Sequence, residues 1–155
     1  MNDAQQKSKQ FNIYLAYPTY RGSDIVHYKM TKRYCNIGSE IRAYLWDWEK
    51  MDGLPKCKLY NPADHELFID TAHDMEMLSD KDIFQVNCAI IQRCDLVILF
   101  GNCERTKGSL LEEVKYAKSS RIPIYTMPDL SPTVMQTLKL AITIIIKSGD
   151  IHEVD

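Results

Sequence analysis

The feature that most constrains the fold is an uninterrupted apolar run, DLVILF, at residues 95–100. A strand in a parallel sheet is covered by helices on both faces, so it carries apolar side chains at nearly every position. Other short β-prone segments end at turn-forming residues such as Pro18 and the pair Asn61-Pro62. The sequence therefore predicts four strands, at residues 11–17, 56–60, 95–100 and 122–127.

Helix-like segments alternate with these strands. Residues 24–50 have a helical pattern, which the segment NIGS at 36–39 is expected to divide into two helices. Residues 61–78 are rich in Asp, His and Met, and we expect a loop that carries short helical turns. Two further helices are predicted at residues 109–119 and 133–147, the second ended by Gly149.

One more helix begins after the 61–78 segment. Ser79 and Asp82 have the spacing of a capping box, which marks a helix start. The apolar positions that follow at helical spacing predict the face turned toward the sheet: Ile83, Val86, Ile90 and Cys94.

The alternation predicts an α/β protein with a flavodoxin/Rossmann-like parallel sheet of four to five strands and helices on both faces. A chain of 155 residues fits one domain, which we place at residues 11–149, between a flexible N-terminus at 1–10 and a tail at 150–155. Ligands in such sheets bind beyond the carboxyl ends of the strands. The loops at 18–24 and 101–108 are therefore the predicted site.

Charge and composition exclude several classes of partner. The formal net charge of −2 is not that of a protein that binds a nucleic-acid duplex. No apolar run approaches the ~20 residues of a membrane span, and the polar first residues do not resemble a secretory signal, so we expect a cytoplasmic protein. The five cysteines and four histidines lack metal-binding spacing, so neither a metal nor a cofactor is expected.

The first loop contains Arg21 and Gly22 directly before a predicted helix. An arginine and a close-approaching backbone at a helix N-terminus can hold an anion. An ordinary turn with a solvated arginine explains the same residues, and this loop taken alone favours that interpretation.

The second loop leads into a helix that begins with two acidic residues. Ser109 and Glu112 have capping-box spacing, which gives Glu112 a structural explanation. Glu113 has no such explanation, and its helical neighbours at i+3 and i+4 are Tyr116 and Ala117, which are expected to face the sheet. Glu113 is therefore predicted to point toward the strand ends as a functional carboxylate.

Three segments together resemble the nucleoside 2-deoxyribosyltransferase superfamily: NIYLAYPTYRG, CDLVILFGNCERTKG and EVKYAKSSRIPIY. The nucleotide-hydrolysing branch and small uncharacterised bacterial and phage members are the most similar. The resemblance covers residues 12–22 and 79–127, a little under half of the chain.

The resemblance implies a binding role for the first loop and for the helix before the buried strand. Arg21-Gly22 matches an Arg-Gly pair that contacts a 5′-phosphate, whereas Tyr17 stands where a glycine is common. The family carries a sugar-orienting Asp eight residues before the Asp of the buried strand. Counting back from Asp95, this position is Asn87, which can bind a hydroxyl but carries no charge.

The resemblance also implies the phosphate site and the catalytic carboxylate. The residues that match the family's phosphate-binding stretch are Thr106, Gly108 and Ser109. The family's catalytic Glu lies four residues after this glycine and four before a helical Ala, and here the two counts give Glu112 and Glu113. Glu113 is preferred, because loops absorb insertions better than packed helices do.

The implied activity is cleavage of an N-glycosidic bond, or deoxyribosyl transfer, on a nucleoside or nucleoside 5′-monophosphate, with a carboxylate nucleophile. Tyr14, Tyr20 or Asp95 assists the leaving base, and the sequence does not choose among them. The alternative is a non-catalytic nucleotide-binding module, and a third interpretation makes the acidic residues purely structural. The resemblance also implies a homo-oligomer, in which a neighbouring subunit completes the pocket.

Overall fold

The computed structural model describes residues 10–18, 24–101 and 108–152. Four strands form one sheet in which every pairing is parallel, in the order β2-β1-β3-β4. The strands are β1 (Gln10–Ala16), β2 (Lys56–Tyr60), β3 (Leu96–Phe100) and β4 (Ile124–Met127). The predicted α/β class is confirmed, and each predicted strand is present to within one or two residues at its ends.

Four of the five helices in the described ranges occupy intervals predicted to be helical, and the other lies in the segment expected to be a loop. They are α1 (Asp24–Met51), α2 (Glu66–Asp74, after a 3₁₀ turn at Pro62–His65), α3 (Asp80–Gln92), α4 (Gly108–Ser119) and α5 (Pro132–His152). None of the helices in the described ranges is both long and apolar enough to cross a membrane.

Alternation along β1 sends its side chains into two separate cores. Ile13 and Leu15 join a cluster with residues of α1 and α5, whereas Tyr14 and Ala16 join a cluster with residues of α3 and α4. All five residues of β3 are buried. This is the burial expected of its continuous apolar sequence, and it confirms helices on both faces of the sheet.

The strand order places a switch point beside β1. From β1 the chain crosses to β2 on one side, and later returns to place β3 on the other side. Helices on either side of such a point diverge and leave a crevice beyond the carboxyl ends of the strands. Tyr14, which pairs with Tyr60 of β2 and Val97 of β3, lies close to this crevice.

The expected break in the first helix is wrong, because α1 continues through Gly38. A Cβ at this position would collide with the side-chain amide of Asn61. Asn61 is fully buried, donates to the carbonyl oxygen of Tyr34 at 2.9 Å, and accepts from the backbone N–H of Ala63 at 3.2 Å. Gly38 therefore allows close approach of Asn61 rather than ending the helix.

The expected stop at Gly149 is also wrong, since α5 runs on to His152 and so passes the predicted domain end at residue 149. Glycine in a helix costs about 1 kcal/mol relative to alanine, which lowers helix stability without requiring a break. The loop expected at 61–78 is more regular than predicted. It contains the nine-residue helix α2, and Asn61 caps the turn before it.

The capping box of Ser79 and Asp82 is confirmed, with both of its hydrogen bonds present. The predicted buried face of α3 is partly wrong. Val86 is 52% exposed and Cys94 lies beyond the helix end, whereas Cys88 and Ile91 are the buried residues. The apolar spacing was compatible with a face rotated slightly around the helix, and packing against α4 selects the observed face.

Candidate active site

A cavity of about 390 Å³ lies at the carboxyl end of β1, beside the switch point. Its walls come from β1, from the segment after β2, and from α2, α3 and α4. The lining residues are Tyr14, Leu15, Tyr17, Pro62, Glu66, Ile69, Asp80, Ile83, Phe84, Asn87 and Glu113. The volume lies in the range of small-molecule sites, roughly 300–1,000 Å³.

Glu113 is the central polar group of this cavity. The side chain extends from α4 toward the sheet and is 8% exposed. The hydroxyl of Tyr14, on β1, donates a 2.6 Å hydrogen bond to its Oε1. The amide of Asn87, on α3, hydrogen-bonds to the same carboxylate. Three different elements therefore fix one carboxylate against the wall of a cavity.

Burial and hydrogen bonding act in opposite directions on Glu113. Burial raises the pKa of its carboxyl from 4.5 to about 7, although the hydrogen bonds from Tyr14 and Asn87 lower it. Burial, and then the charge of Glu113, raise the pKa of Tyr14 well above its ordinary value. Tyr14 therefore keeps its proton as a donor, while Glu113 titrates near neutral pH.

The two candidate glutamates have different environments. Glu112 has a side chain that is 56% exposed, and it forms an ion pair with Lys115 at 3.6 Å. Ser109 is the second residue of α4, and its side chain lies outside the described residues, so the capping-box role expected of Glu112 stays a prediction. Successive helical residues point about 100° apart. Glu113 is the glutamate at the cavity, and Glu112 is not.

Tyr17 lines the cavity just beyond the end of β1 and is 5% exposed. Its ring stacks on that of Tyr34, with centroids 4.0 Å apart and an interplanar angle of 12°. Within residues 10–18, 24–101 and 108–152, its buried hydroxyl has no hydrogen-bond partner. Burial raises the pKa of this hydroxyl, and nearby Glu66 raises it further, so Tyr17 is a neutral donor.

Asp95 lies at the opposite end of the sheet from the cavity. It precedes β3, its Oδ2 accepts from the backbone N–H of Asn12 at 2.8 Å, and its own N–H donates to the carbonyl oxygen of Asn12 at 2.7 Å. These bonds join the amino-terminal ends of β1 and β3. The structure therefore separates Asp95 from the ligand-binding role that the sequence suggested.

The remaining predicted ligands fall largely outside the described residues. Tyr20, Arg21, Gly22 and Thr106 lie there. Gly108 and Ser109 are the first two residues of α4, which follows β3.

Glu66 is a cavity residue that sequence reasoning missed. It is 4% exposed, at the start of α2, inside the segment expected to be a loop. Asn61-Pro62 carried the missing signal, because an Asn followed by Pro is typical of a capped helical start. A helical start directly after a strand lies at the carboxyl edge of the sheet, where ligand sites are found.

His27, Glu66 and Asp70 bring potential metal ligands within 4.8 Å of one another beside the cavity. His27 Nε2 lies 2.8 Å from Asp70 Oδ2 and 3.6 Å from Glu66 Oε2. Tetrahedral ligands about 2.0–2.2 Å from one ion would be roughly 3.3–3.6 Å apart. The His27–Asp70 distance is instead that of a direct hydrogen bond, so the two side chains bind each other rather than being spaced around an ion.

The arrangement as a whole is a hydrogen-bonded carboxylate facing a partly open cavity that has both apolar and polar walls. Such a carboxylate can act as a nucleophile or exchange a proton, depending on pH. In the comparisons with known proteins, no protein family, curated protein or solved structure matches this chain.

Proposed function

We propose that the protein cleaves the N-glycosidic bond of a nucleoside or nucleoside 5′-monophosphate, by hydrolysis or by deoxyribosyl transfer, with Glu113 as the nucleophile. The observation that carries the proposal is the placement of Glu113 at the cavity, held by the Tyr14 hydroxyl at 2.6 Å and by the Asn87 amide. The sequence resemblance assigns Asn87, and it assigns Glu113 when counted back from Ala117, whereas the count forward from Gly108 gives Glu112.

The chemistry proceeds in two displacements. A Glu113 oxygen bonds to the anomeric carbon as the carbon–nitrogen bond breaks, and the bonding electron pair leaves with the base, which takes up a proton. The product is a glycosyl ester on Glu113. A water molecule, or a nitrogen of a second base, then attacks the same carbon, loses a proton and restores the carboxylate.

Tyr14 and Asn87 orient the nucleophile. Both groups donate to the carboxylate, so they hold its plane and favour its ionised form. Only this form attacks the anomeric carbon. Because the pKa of Glu113 is about 7, the proposed activity increases with pH through neutrality.

The walls of the cavity suit the two parts of a nucleoside. Ile69, Ile83 and Phe84 supply apolar surface that can cover the faces of a base. The carboxylates of Glu66 and Glu113 and the Tyr17 hydroxyl supply hydrogen-bonding groups for sugar hydroxyls. The phosphate part of the proposal rests on the resemblance, which assigns Arg21, Thr106, Gly108 and Ser109.

A non-catalytic nucleotide-binding module is the second candidate, and Asn87 is the observation that favours it. An amide at this position hydrogen-bonds Glu113 but lacks the charge of the sugar-orienting Asp that the resemblance implies here. The cavity and its polar groups would still bind a nucleotide. Turnover, rather than binding, therefore distinguishes the two candidates.

The test is chromatography of free base after incubation with ribo- and deoxyribonucleosides and their 5′-monophosphates. Wild type and Glu113→Gln are compared, with exposed Glu112→Gln as the matched control. Base release by wild type and Glu112→Gln that is lost in Glu113→Gln supports the enzyme. If no substrate releases base, but nucleotides still raise the melting temperature, the binding module is the better description.

A homo-oligomer accompanies this proposal. Exposed apolar side chains lie on and near the α2 wall of the cavity, including Leu67 (84% exposed) and Phe68 (74% exposed). Exposed apolar groups of this size favour contact with a partner. Light scattering on wild type and Phe68→Ser tests it: a monomeric wild type would contradict the proposal.

A cytoplasmic location also accompanies it. Cys35, Cys57, Cys88 and Cys94, the cysteines in the described ranges, are all free thiols, as is usual in a reducing compartment. Fractionation of cells that express the full chain tests this location, and recovery outside the cytoplasmic fraction would contradict it.

A further inference from the structure

We propose that the Tyr17 hydroxyl binds a sugar hydroxyl on the face of the pentose that Glu113 attacks, and so determines which sugar the site accepts. The inference rests on the proposed function in two respects: the ligand is a nucleoside or nucleotide, and attack by Glu113 defines the face of its sugar. It concerns a residue at which this chain departs from the family that it resembles, which commonly has glycine there.

The first observation is a buried polar atom at the surface of a cavity. Tyr17 is 5% exposed, lines the cavity, and has no hydrogen-bond partner for its hydroxyl among the residues that the structure describes. A buried hydroxyl without a partner is unfavourable, and such groups are rare in folded proteins. A ligand in the cavity that supplies a hydrogen bond recovers the lost interaction.

The second observation is that the Tyr17 ring is held in place. It stacks on Tyr34 with 4.0 Å between centroids, and Tyr34 in turn makes an edge contact with Phe100 at 6.2 Å. The hydroxyl therefore cannot reach solvent without breaking this aromatic cluster. A rigid donor of this kind provides specificity at little entropic cost.

The charges around the cavity favour a neutral partner over a phosphate. Glu66 and Glu113 line the same cavity, and the charges of both act on the Tyr17 hydroxyl. A phosphate at this position would be repelled by the two carboxylates. A sugar hydroxyl is neutral, can accept from Tyr17, and can itself donate to a carboxylate.

The geometry of the reaction identifies which hydroxyls are meant. A carboxylate that displaces the base attacks the anomeric carbon from the side opposite to the base. In ribose the 2′ and 3′ hydroxyls lie on this same side of the ring. Because Tyr17 and Glu113 line one cavity, these hydroxyls are the groups presented to Tyr17.

The experiment measures the dissociation constants of three 5′-monophosphates that carry the same base on ribose, 2′-deoxyribose or 2′,3′-dideoxyribose. Calorimetry is done in the Glu113→Gln background, so the ligand is not consumed. Tyr17→Phe removes only the hydroxyl. Tyr125→Phe is the matched control, because its hydroxyl donates to the carbonyl oxygen of Val134 at 3.1 Å and Tyr125 does not line the cavity.

Tyr17→Phe is expected to weaken binding of the ribonucleotide by about 2- to 13-fold, the worth of one hydrogen bond between neutral groups, and to leave the dideoxynucleotide nearly unchanged. The deoxynucleotide then shows which hydroxyl is bound. If it behaves like the ribonucleotide, the partner is the 3′ hydroxyl, and if it behaves like the dideoxynucleotide, the partner is the 2′ hydroxyl. The melting temperature should not fall in Tyr17→Phe, whereas it should fall in Tyr125→Phe.

An equal loss of affinity for all three sugars would overturn the inference, because the partner would then be the base or the phosphate. Unchanged affinity for all three would also overturn it. Failure of the proposed function is a separate result, since absence of base release by wild type leaves these binding ratios measurable.

Discussion

The titration of Glu113 should make the stability of the protein depend on pH in a specific way. The pKa of this carboxyl is about 7 in the folded chain, against an ordinary value of 4.5. Because the folded state binds the proton more tightly, the contribution of Glu113 to stability is largest below pH 4.5 and is lost as pH rises toward 7. Ionisation of the buried carboxyl thus destabilises the fold.

The magnitude follows from the gap between these two values, at about 1.4 kcal/mol for each pH unit. The total is about 3.5 kcal/mol, of which about 2.5 kcal/mol is lost between pH 5 and pH 8. Glu113 is 8% exposed, so solvent screens this contribution little. Glu113→Gln keeps the shape and an acceptor for Tyr14 but does not titrate.

The assay is urea unfolding of wild type and Glu113→Gln at pH 5 and pH 8. The free energy of unfolding of the variant, relative to wild type, should increase by about 2.5 kcal/mol between the two pH values. All other titrating groups are common to both proteins, so their contributions to the free energy of unfolding largely cancel in the difference. A difference that stays constant within about 0.5 kcal/mol would refute the reasoning, and exposed Glu112→Gln is the matched control.

Three further predictions concern the site and the fold. Tyr14→Phe removes a hydrogen bond to the ionised form of Glu113 worth about 1.5–3 kcal/mol, so the pKa of Glu113 should rise. The midpoint of the plot of base-release rate against pH should therefore move up by about one to two pH units. An unmoved midpoint would exclude Tyr14 as the donor. Asn87→Asp places a second carboxyl at Glu113, so the pH–rate midpoint should also rise, and a fall would contradict mutual repulsion. Gly38→Ala should lower the free energy of unfolding in urea by about 1–3 kcal/mol, because the added methyl group collides with Asn61. Gly149→Ala has open space around it and should leave that free energy unchanged or raise it by up to about 1 kcal/mol. Equal effects of the two substitutions would contradict the role of Gly38.

Local sequence signals predicted the sheet well, because they act within a few residues. The apolar run of β3 reflects burial on both faces, and the capping box at Ser79 needs only residues 79–82. The errors arose where a distant residue decides the outcome. Gly38 was interpreted as a helix break, but Asn61, which explains the glycine, is more than twenty positions away.

The same distinction applies to the candidate site. Glu113 could be predicted, since helical spacing relates it to Tyr116 and Ala117, which pack toward the sheet. Its partner Tyr14 is 99 positions away, and only the parallel pairing of β1 with β3 brings that strand under α4. Asp95 lies at the start of β3, whereas the cavity lies at the carboxyl ends of the strands, which form the opposite edge of a parallel sheet. The prediction for Asp95 did not take this direction into account.

The bond between Asn61 and Tyr34 has a consequence for how the cavity can change. Asn61 is followed directly by Pro62, and both Pro62 and Glu66 belong to the cavity wall. That wall is therefore anchored to the middle of α1, in the opposite layer of the fold. A change of one methyl group at Gly38 would push Asn61 and reshape the cavity without touching a bound ligand. Sequence variation within α1 is thus a remote means of changing the shape of the cavity.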